Sequence, residues 1–479
     1  QFALGRPDAW LIGFYRKELA AGTLTEREAR ELVAKFLVTA DCHYDGLSSV
    51  HSYNDHEVEI PLTLGGCDPD GKPVWNELTE MFLDAHLGAD CVYPKLHCRV
   101  SADSPQAYLE KIGAMVIAGH SVFALLNDDR KIQNYLDMDM GWDLRRVRNY
   151  IGVGCWNGSI DSATNGDGGY VSIEKILELS IHRDPAVEKA CRLKIDPLED
   201  ATNFEELRDI MFRNTIRFLR SLGGEYARHG RACANVNPYP VYTMCLDGGI
   251  ESRRDTQEGG TRRNCGLTLG FLGNVVDSLC AIDRLCFVDK VCTVKELFDV
   301  VRSNWAGPRG EELRRRALEA PYWGDGSAQS TGLMAWFMRK TVEGMDGLVS
   351  SMGGRFFFQI YTYREFMYWG DKTKATPDGR RNGEQLAQGL TPSELRCRTD
   401  ASTVMNAIGE LPNGCLTDSN ANLTFDRDGM TAEVMAAIFR VFAQKGSHLM
   451  QPNCNSVELL LDAQKHPERH QNLIVKVCG

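Results

Sequence analysis

Two short stretches contain residue types that could do chemistry. In NYIGVGCWNGSIDSATNGDGGY a single thiol, Cys155, follows Gly154 and precedes Trp156, Asn157 and Gly158. The apolar start reads as a strand running into a loop, and the flanking glycines permit backbone angles and close approaches that a side chain forbids. A cysteine so placed can meet a ligand. A nucleophilic thiolate wants a nearby base or cation, and locally there are only Trp156, Asn157 and Asp161, so ionic activation lacks support. A buried structural thiol is the plain alternative. The second stretch is NLIVKVCG, an apolar strand-like run closing on Gly479.

Nucleotide chemistry does not fit. Gly152 and Gly154 form a GxG, but the next glycine, Gly158, is one position late, and a polar loop follows where a dinucleotide fingerprint needs a helix N-terminus. No GxxxxGK[ST] occurs either. A net charge of -11 without a basic run argues against a nucleic-acid partner and for small-molecule chemistry. No apolar run approaches the roughly 18 residues that a membrane span requires. The sixteen cysteines are scattered singly, without a CxxC pair, which points to free thiols in a reducing, cytoplasmic compartment and to no metal cluster. His51 and His56 in HSYNDHE read as a solvated loop.

The elements that must position these stretches alternate. TEREARELVAKFLV, NELTEMFLDAHLGA and SPQAYLEKIGAMVIAG carry helical apolar spacing, while KLHCRV and VFALL are short apolar runs between them. Such alternation predicts an α/β fold, and the lack of repeats or Pro/Ser-rich linkers favours one large domain. Polar residues at ends of predicted strands are candidates for a pocket: His97 and Arg99 in KLHCRV, Asn127 and Asp128 in ALLNDD, Gln451 and Asn453 in MQPN. Each could equally be structural. Arg262 and Arg263 in GGTRRN could hold a carboxylate or sulfonate bidentately or be salt-bridged, and Asp378 and Arg380 in TPDGRR read as a turn.

Taken together, the Cys155 loop and the VKVCG end resemble the two finger loops of the glycyl radical enzymes, the family that includes pyruvate formate-lyase. The likeness extends in order through GRPDAWLIGFYRKELAAGTLTEREA, PLTLGG, YPKLHCRV, ALLNDD, LDGGIESRRDTQEGGTRRN, LGNVVDSLCAIDRL, ATPDGRRNGEQLAQGLTPS and PNGCLTDSNANLTF. The resemblance implies a ten-stranded α/β barrel of two five-stranded half-barrels with inward finger loops. Residues 1–445 would be the C-terminal part of the barrel domain and 446–479 the start of the glycine radical domain. It also implies that Gly479 stores a backbone radical and that Cys155 carries the transient thiyl radical. Only glycine leaves a planar α-carbon uncrowded, and a sulfur–hydrogen bond exchanges hydrogen reversibly with both partners. Family members are longer at the N-terminus and continue past the radical glycine, so the chain is expected to begin inside a longer one.

The same resemblance implies no bound cofactor, a radical installed by a separate S-adenosylmethionine/iron-sulfur activating enzyme, a small-molecule substrate and a homodimer. Its lyases and dehydratases carry a glutamate two residues after the cysteine, where this chain has Asn157. An amide cannot accept the proton that such a carboxylate takes. Three readings stay open: a lyase, dehydratase or decarboxylase with another base or none; radical addition of a substrate to fumarate; and a scaffold without catalysis. The first is preferred, with Trp156, Asn157, His97, Arg99, Asn127, Gln451 and Asn453 around the substrate. Cys155→Ala abolishing turnover while fold and radical persist would exclude the scaffold.

Overall fold

The computed structural model describes residues 3–42, 60–89, 91, 93–138, 140–154, 157–160, 166–258, 263–350, 353–362, 365–470 and 473. The strands are β1 (Pro61–Gly65), β2 (Lys95–Val100), β3 (Phe123–Asn127), β4 (Ile151–Val153), β5 (Asn157–Ser159), β6 (Gly166–Ser172), β7 (Arg263–Gly270), β8 (Gly353–Ile360), β9 (Leu416–Thr424) and β10 (Leu449–Asn453). Two compact units form, one from Gln1–Asp161 with Asn420–Val477 and the other from Ser162–Ser419. Strand β9 begins in the second and ends in the first.

In the first unit β1, β2 and β3 are parallel and joined by helices Glu77–Gly88 and Gln106–Ile117, as the alternating apolar patterns predict. Asn76 starts the first helix by accepting from the backbone N–H groups of Leu78 and Thr79, while the Thr79 hydroxyl accepts from its N–H. Strands β9 and β10 are likewise parallel, with helix Ala432–Lys445 between them, and β10 meets β3 antiparallel. Helices Gln106–Ile117 and Ala432–Lys445 pack closely because Gly113 has no side chain: a Cβ there would lie 3.0 Å from Met435 and 3.2 Å from the Ala432 carbonyl.

Strand alternation divides the first unit's sheet into two faces. Leu62, Leu64, Leu96, Cys98, Val100, Phe123, Leu125, Ala421, Leu423 and Met450 share one, all buried. Thr63, His97, Arg99, Asn420, Gln451 and Asn453 share the other, and they are buried too. Parallel sheets covered on both sides usually read as continuous aliphatics. A buried face on which these polar side chains stand among Ala124, Leu126 and Leu449 is therefore the informative departure.

The second unit contains parallel β6, β7, β8 and the beginning of β9. Helix Leu272–Ile282 is buried on every side and runs into a π-helical turn, Asp283–Val288. A hydrophobic cluster of Phe271, Phe366 and Leu386, flanked by Tyr170 and Trp369, forms part of its core. Here TPDGRR does make a turn, with Gly379 at φ 93°, but the turn is buried: Asp378 and Arg380 are both inaccessible to solvent. Asn274 donates to Asp378 Oδ2 at 2.9 Å, Thr376 donates to its other oxygen at 2.6 Å, and Arg380 donates to the carbonyls of Thr373 and Glu384. These groups are structural ties. No described helix is long and apolar enough to cross a membrane, and the described cysteines are free thiols.

Candidate active site

The strand pair β4 and β5 is an antiparallel hairpin that pairs Ile151 with Ser159, Gly152 with Gly158 and Val153 with Asn157. Residues 154–156 separate the two strands; Cys155 and Trp156 lie outside the described residues, as does Gly479. Gly154 enters this interval at φ 58°, a conformation that favours glycine. The two paired glycines act differently. A Cβ on Gly152 would stand 2.0 Å from Nδ1 of His97, and one on Gly158 would stand 1.9 Å from the Tyr135 hydroxyl. Directly paired residues of a hairpin face the same side, so Gly152 and Gly158 give the cysteine-bearing hairpin a bare surface that lies against His97 and Tyr135.

A hydrogen bond fixes its height. The Gly152 N–H donates to the Thr63 hydroxyl at 2.9 Å. Thr63 and His97 are neighbours across β1 and β2 on the polar face, so the hairpin is seated on that face and not on the apolar one.

Arg99 holds the chain that leads into the hairpin. Its guanidinium is buried, contacts Asp128 Oδ1 through Nε at 2.6 Å, and donates to the carbonyls of Tyr150 (3.0 Å) and Arg148 (2.9 Å) while lying 4.0 Å from the centre of the Tyr150 ring. Arg6 reinforces the same turn by donating to the carbonyls of Arg148, Gly65 and Cys67. Arg99 is thus committed to the backbone and to Asp128, and its expected place at the substrate becomes one step removed.

Asn127 does not join the site. It follows Phe123 and Leu125 in strand alternation and points to the helix-covered face, where its amide donates to the carbonyls of Phe442, Ala443 and Ser447 and its oxygen caps the helix that follows. Its polar ends are all used. Gln451 and Asn453 are buried on the polar face, and Asn157 begins β5 with a buried Oδ1 that has no hydrogen-bond partner among the described residues. Arg263 opens β7, and Arg262 lies outside the described residues.

Sequence reasoning passed over Asn420 and Thr63. The signal for Asn420 was present in LTDSNANLT, where Asp418, Asn420 and Asn422 alternate with small or apolar residues and so mark one polar face of a strand. Among the described residues no group of three or more His, Cys, Asp or Glu side chains could hold a metal ion.

The sequence model of the family described as pyruvate formate lyase-like matches residues 1–370, and that of the glycine radical domain matches residues 386–479. The chain is 24% identical to trans-4-hydroxy-L-proline dehydratase of Clostridioides difficile, a match that covers 100% of this chain and 62% of that protein. Isethionate sulfite-lyase of Nitratidesulfovibrio vulgaris is 25% identical, over 99% of this chain and 59% of its own length. The crystal structure of a glycyl radical enzyme from Archaeoglobus fulgidus superimposes with a TM-score of 0.88 at 22% identity, covering 100% of this chain and 62% of that one. The chain therefore spans about three fifths of the length of these relatives.

Proposed function

The chain belongs to the pyruvate formate lyase-like family of glycyl radical proteins, and from that premise we propose that it forms the larger part of a glycyl radical lyase. The reaction begins when the radical at the Gly479 α-carbon takes hydrogen from the Cys155 thiol. The resulting thiyl radical takes hydrogen from a carbon of a small organic substrate, a carbon–heteroatom or carbon–carbon bond of the substrate radical breaks, and the product radical recovers the hydrogen from Cys155. The thiyl then restores Gly479. No net oxidant or reductant is consumed, so the radical, once installed by a separate S-adenosylmethionine-dependent activating enzyme, serves many turnovers.

The observation that carries this reading is the seat of the cysteine hairpin: Gly152 is bonded to Thr63 and set against His97, on a buried face of polar residues. That location supplies what a thiyl radical needs, a site closed to water with polar groups to orient a substrate. Trp156 and Asn157 follow the cysteine directly and are proposed to border the substrate, with His97, Gln451 and Asn453 on the sheet beneath it.

Elimination of water also needs a proton acceptor, and Asn157 cannot be one. The imidazole beside Gly152 can. We assign that role to His97, whose replacement by Gln should remove elimination while leaving the radical in place. The lack of a carboxylate at position 157 also suits radical addition to fumarate, which needs no base. Electron paramagnetic resonance of the anaerobic protein with its activating enzyme, S-adenosylmethionine and a reductant tests the common premise. A doublet that is lost in Gly479→Ala supports it, and no doublet with a proven activator overturns it. Product analysis then separates cleavage from addition.

A further inference from the structure

The polar face of the first unit's sheet holds two primary amides that no described residue engages. Asn420 is 1% exposed and Gln451 0%, and neither the nitrogen nor the oxygen of either amide has a hydrogen-bond partner among the described residues. A buried polar atom without a partner is destabilising, so four such atoms on adjoining strands run against the stability of the fold. They stand together. In the parallel register Asn420 pairs with Leu449 and Asn422 with Gln451, which makes Asn420 and Gln451 diagonal neighbours roughly 8 Å apart from strand spacing and rise. A molecule of a few heavy atoms bridges that gap.

What lies beside them fits a small ligand. The antiparallel register of Leu449 with Leu126 and Met450 with Leu125, continued by one residue, sets Gln451 opposite Ala124. Ala124 pairs in turn with His97, and His97 with Thr63, where the cysteine hairpin is bonded. One row across four strands thus reads Thr63, His97, Ala124, Gln451. The smallest side chain stands between the imidazole under the hairpin and the amide.

We propose that Asn420 and Gln451 hold the non-reacting end of the substrate, and that this end is uncharged and carries a hydroxyl or carboxamide, not a carboxylate or sulfonate. The inference rests on the location of the site given above. A hydroxyl or carboxamide both donates and accepts, so it satisfies the NH₂ and the oxygen of a facing amide. An anion only accepts. It would leave both amide oxygens unmet and, among the described residues of this face, would itself be buried without an adjacent counter-charge. The cations of this face, Arg99 and Lys95, stand on β2, two strands and two residues off the row of Gln451, about 12 Å from it, and Arg99 is already paired with Asp128.

Lactamide and lactate test this, since they share a shape and differ in amide against carboxylate; isethionate and glycerol complete the set. Titrated by calorimetry into the unactivated, full-length protein, lactamide and glycerol should bind, with lactate and isethionate weaker by about tenfold or more, the worth of one lost hydrogen bond. Gln451→Leu and Asn420→Leu should each lose about tenfold in lactamide affinity while their Tm stays level or rises, because an unpaired buried amide has been removed. Both should still form the glycyl radical. A fall in Tm would instead assign the amides to the fold. That result, unchanged lactamide affinity in the variants, tighter binding of lactate or isethionate, or no binding of either neutral probe at high millimolar concentration overturns the proposal. Failure of the binding prediction in a protein that forms the radical removes this inference alone; failure to form the radical removes the functional reading.

Discussion

The two units both bury polar groups beside parallel strands, and they use them in opposite ways. In the second unit many buried groups are tied to one another or to the backbone: Asn274 to Asp378 and to the Ala387 N–H, Thr376 to Asp378, Arg380 to the carbonyls of Thr373, Lys374 and Glu384, Asp277 to the Trp323 N–H at 2.6 Å, although Glu174 and Ser278 keep buried oxygens that no described residue bonds. In the first, Asn420 and Gln451 find no partner in the described chain, and the hairpin glycines keep side chains away from His97. Internally satisfied polar groups specify a fold, whereas preorganised and unsatisfied ones await something else. The buried Asp378 turn of the second unit is thus read as scaffold and the Asn420–Gln451 pair of the first as workplace.

The largest effect that could break this contrast is at the hairpin. Cys155→Ala should reduce turnover to background with the radical doublet and Tm unchanged; residual turnover would move the chemistry elsewhere. Removing the cation that anchors the hairpin comes next. Arg99→Met leaves Asp128 buried without its partner, a loss expected at about 3–5 kcal/mol by urea unfolding, and turnover should fall with it; a near-neutral result would show that the Asp128 pair does not hold the turn.

Gly152→Ala is a finer probe of the workplace. Its Cβ would require the hairpin or His97 to give way, since it would stand only 2.0 Å from His97 Nδ1, and a shift of about 1 Å at a reacting group costs roughly a hundredfold in kcat. Stability should change far less than rate. Gly347→Ala, at φ 76° with nothing near its Cβ, supplies a control at which any cost is confined to stability.

The smallest effect sharpens the scaffold side. Burial chiefly, eased by Arg396, pushes the Asp277 carboxyl from 3.8 up to about 7. Burial, then the charge of Asp378, pushes Glu174 well above its ordinary range, with neither of its oxygens bonded among the described residues. Because the folded state holds the proton more tightly than the unfolded one, stability falls as pH rises from the ordinary carboxylate range to about 7 and levels off above the folded value. Asp277→Asn should flatten part of that slope in urea midpoints measured between pH 4.5 and 7.5. An unaltered slope would place the titration elsewhere.

Much of the hairpin was legible in the chain itself. Gly154 and Gly158 around Cys155 announced an unusual backbone angle and close approach, and the structure gives each a specific cause, a φ of 58° and Tyr135, while Gly152, read only as part of a GxG, proves to lie against His97. Alternating helical and strand-like runs announced an α/β fold. The ordered blocks that resemble glycyl radical enzymes pointed to the family that the comparisons also give. Asn127 and Gln451 looked alike as polar residues at strand ends. Counting parity from Phe123 and Leu125 would have sent Asn127 to the apolar face, but parity alone does not say which face a helix covers.

The sequence by itself determined the local chemistry, because residue type and spacing act over a few positions: a thiol between glycines, an amide two residues after it, strands of alternating character. Only the tertiary structure decided what those side chains confront. Whether a polar residue is satisfied depends on groups far away in the chain, as Asn127 shows with its bonds to the carbonyls of Phe442 and Ala443. Asn420 and Gln451 become neighbours through pairing of β9 with β10 across a helix, and Gln451 comes opposite Ala124 through the pairing of β10 with β3. Burial and strand register are properties of the assembled sheet, and they separate a residue that ties the fold from one left to hold a ligand.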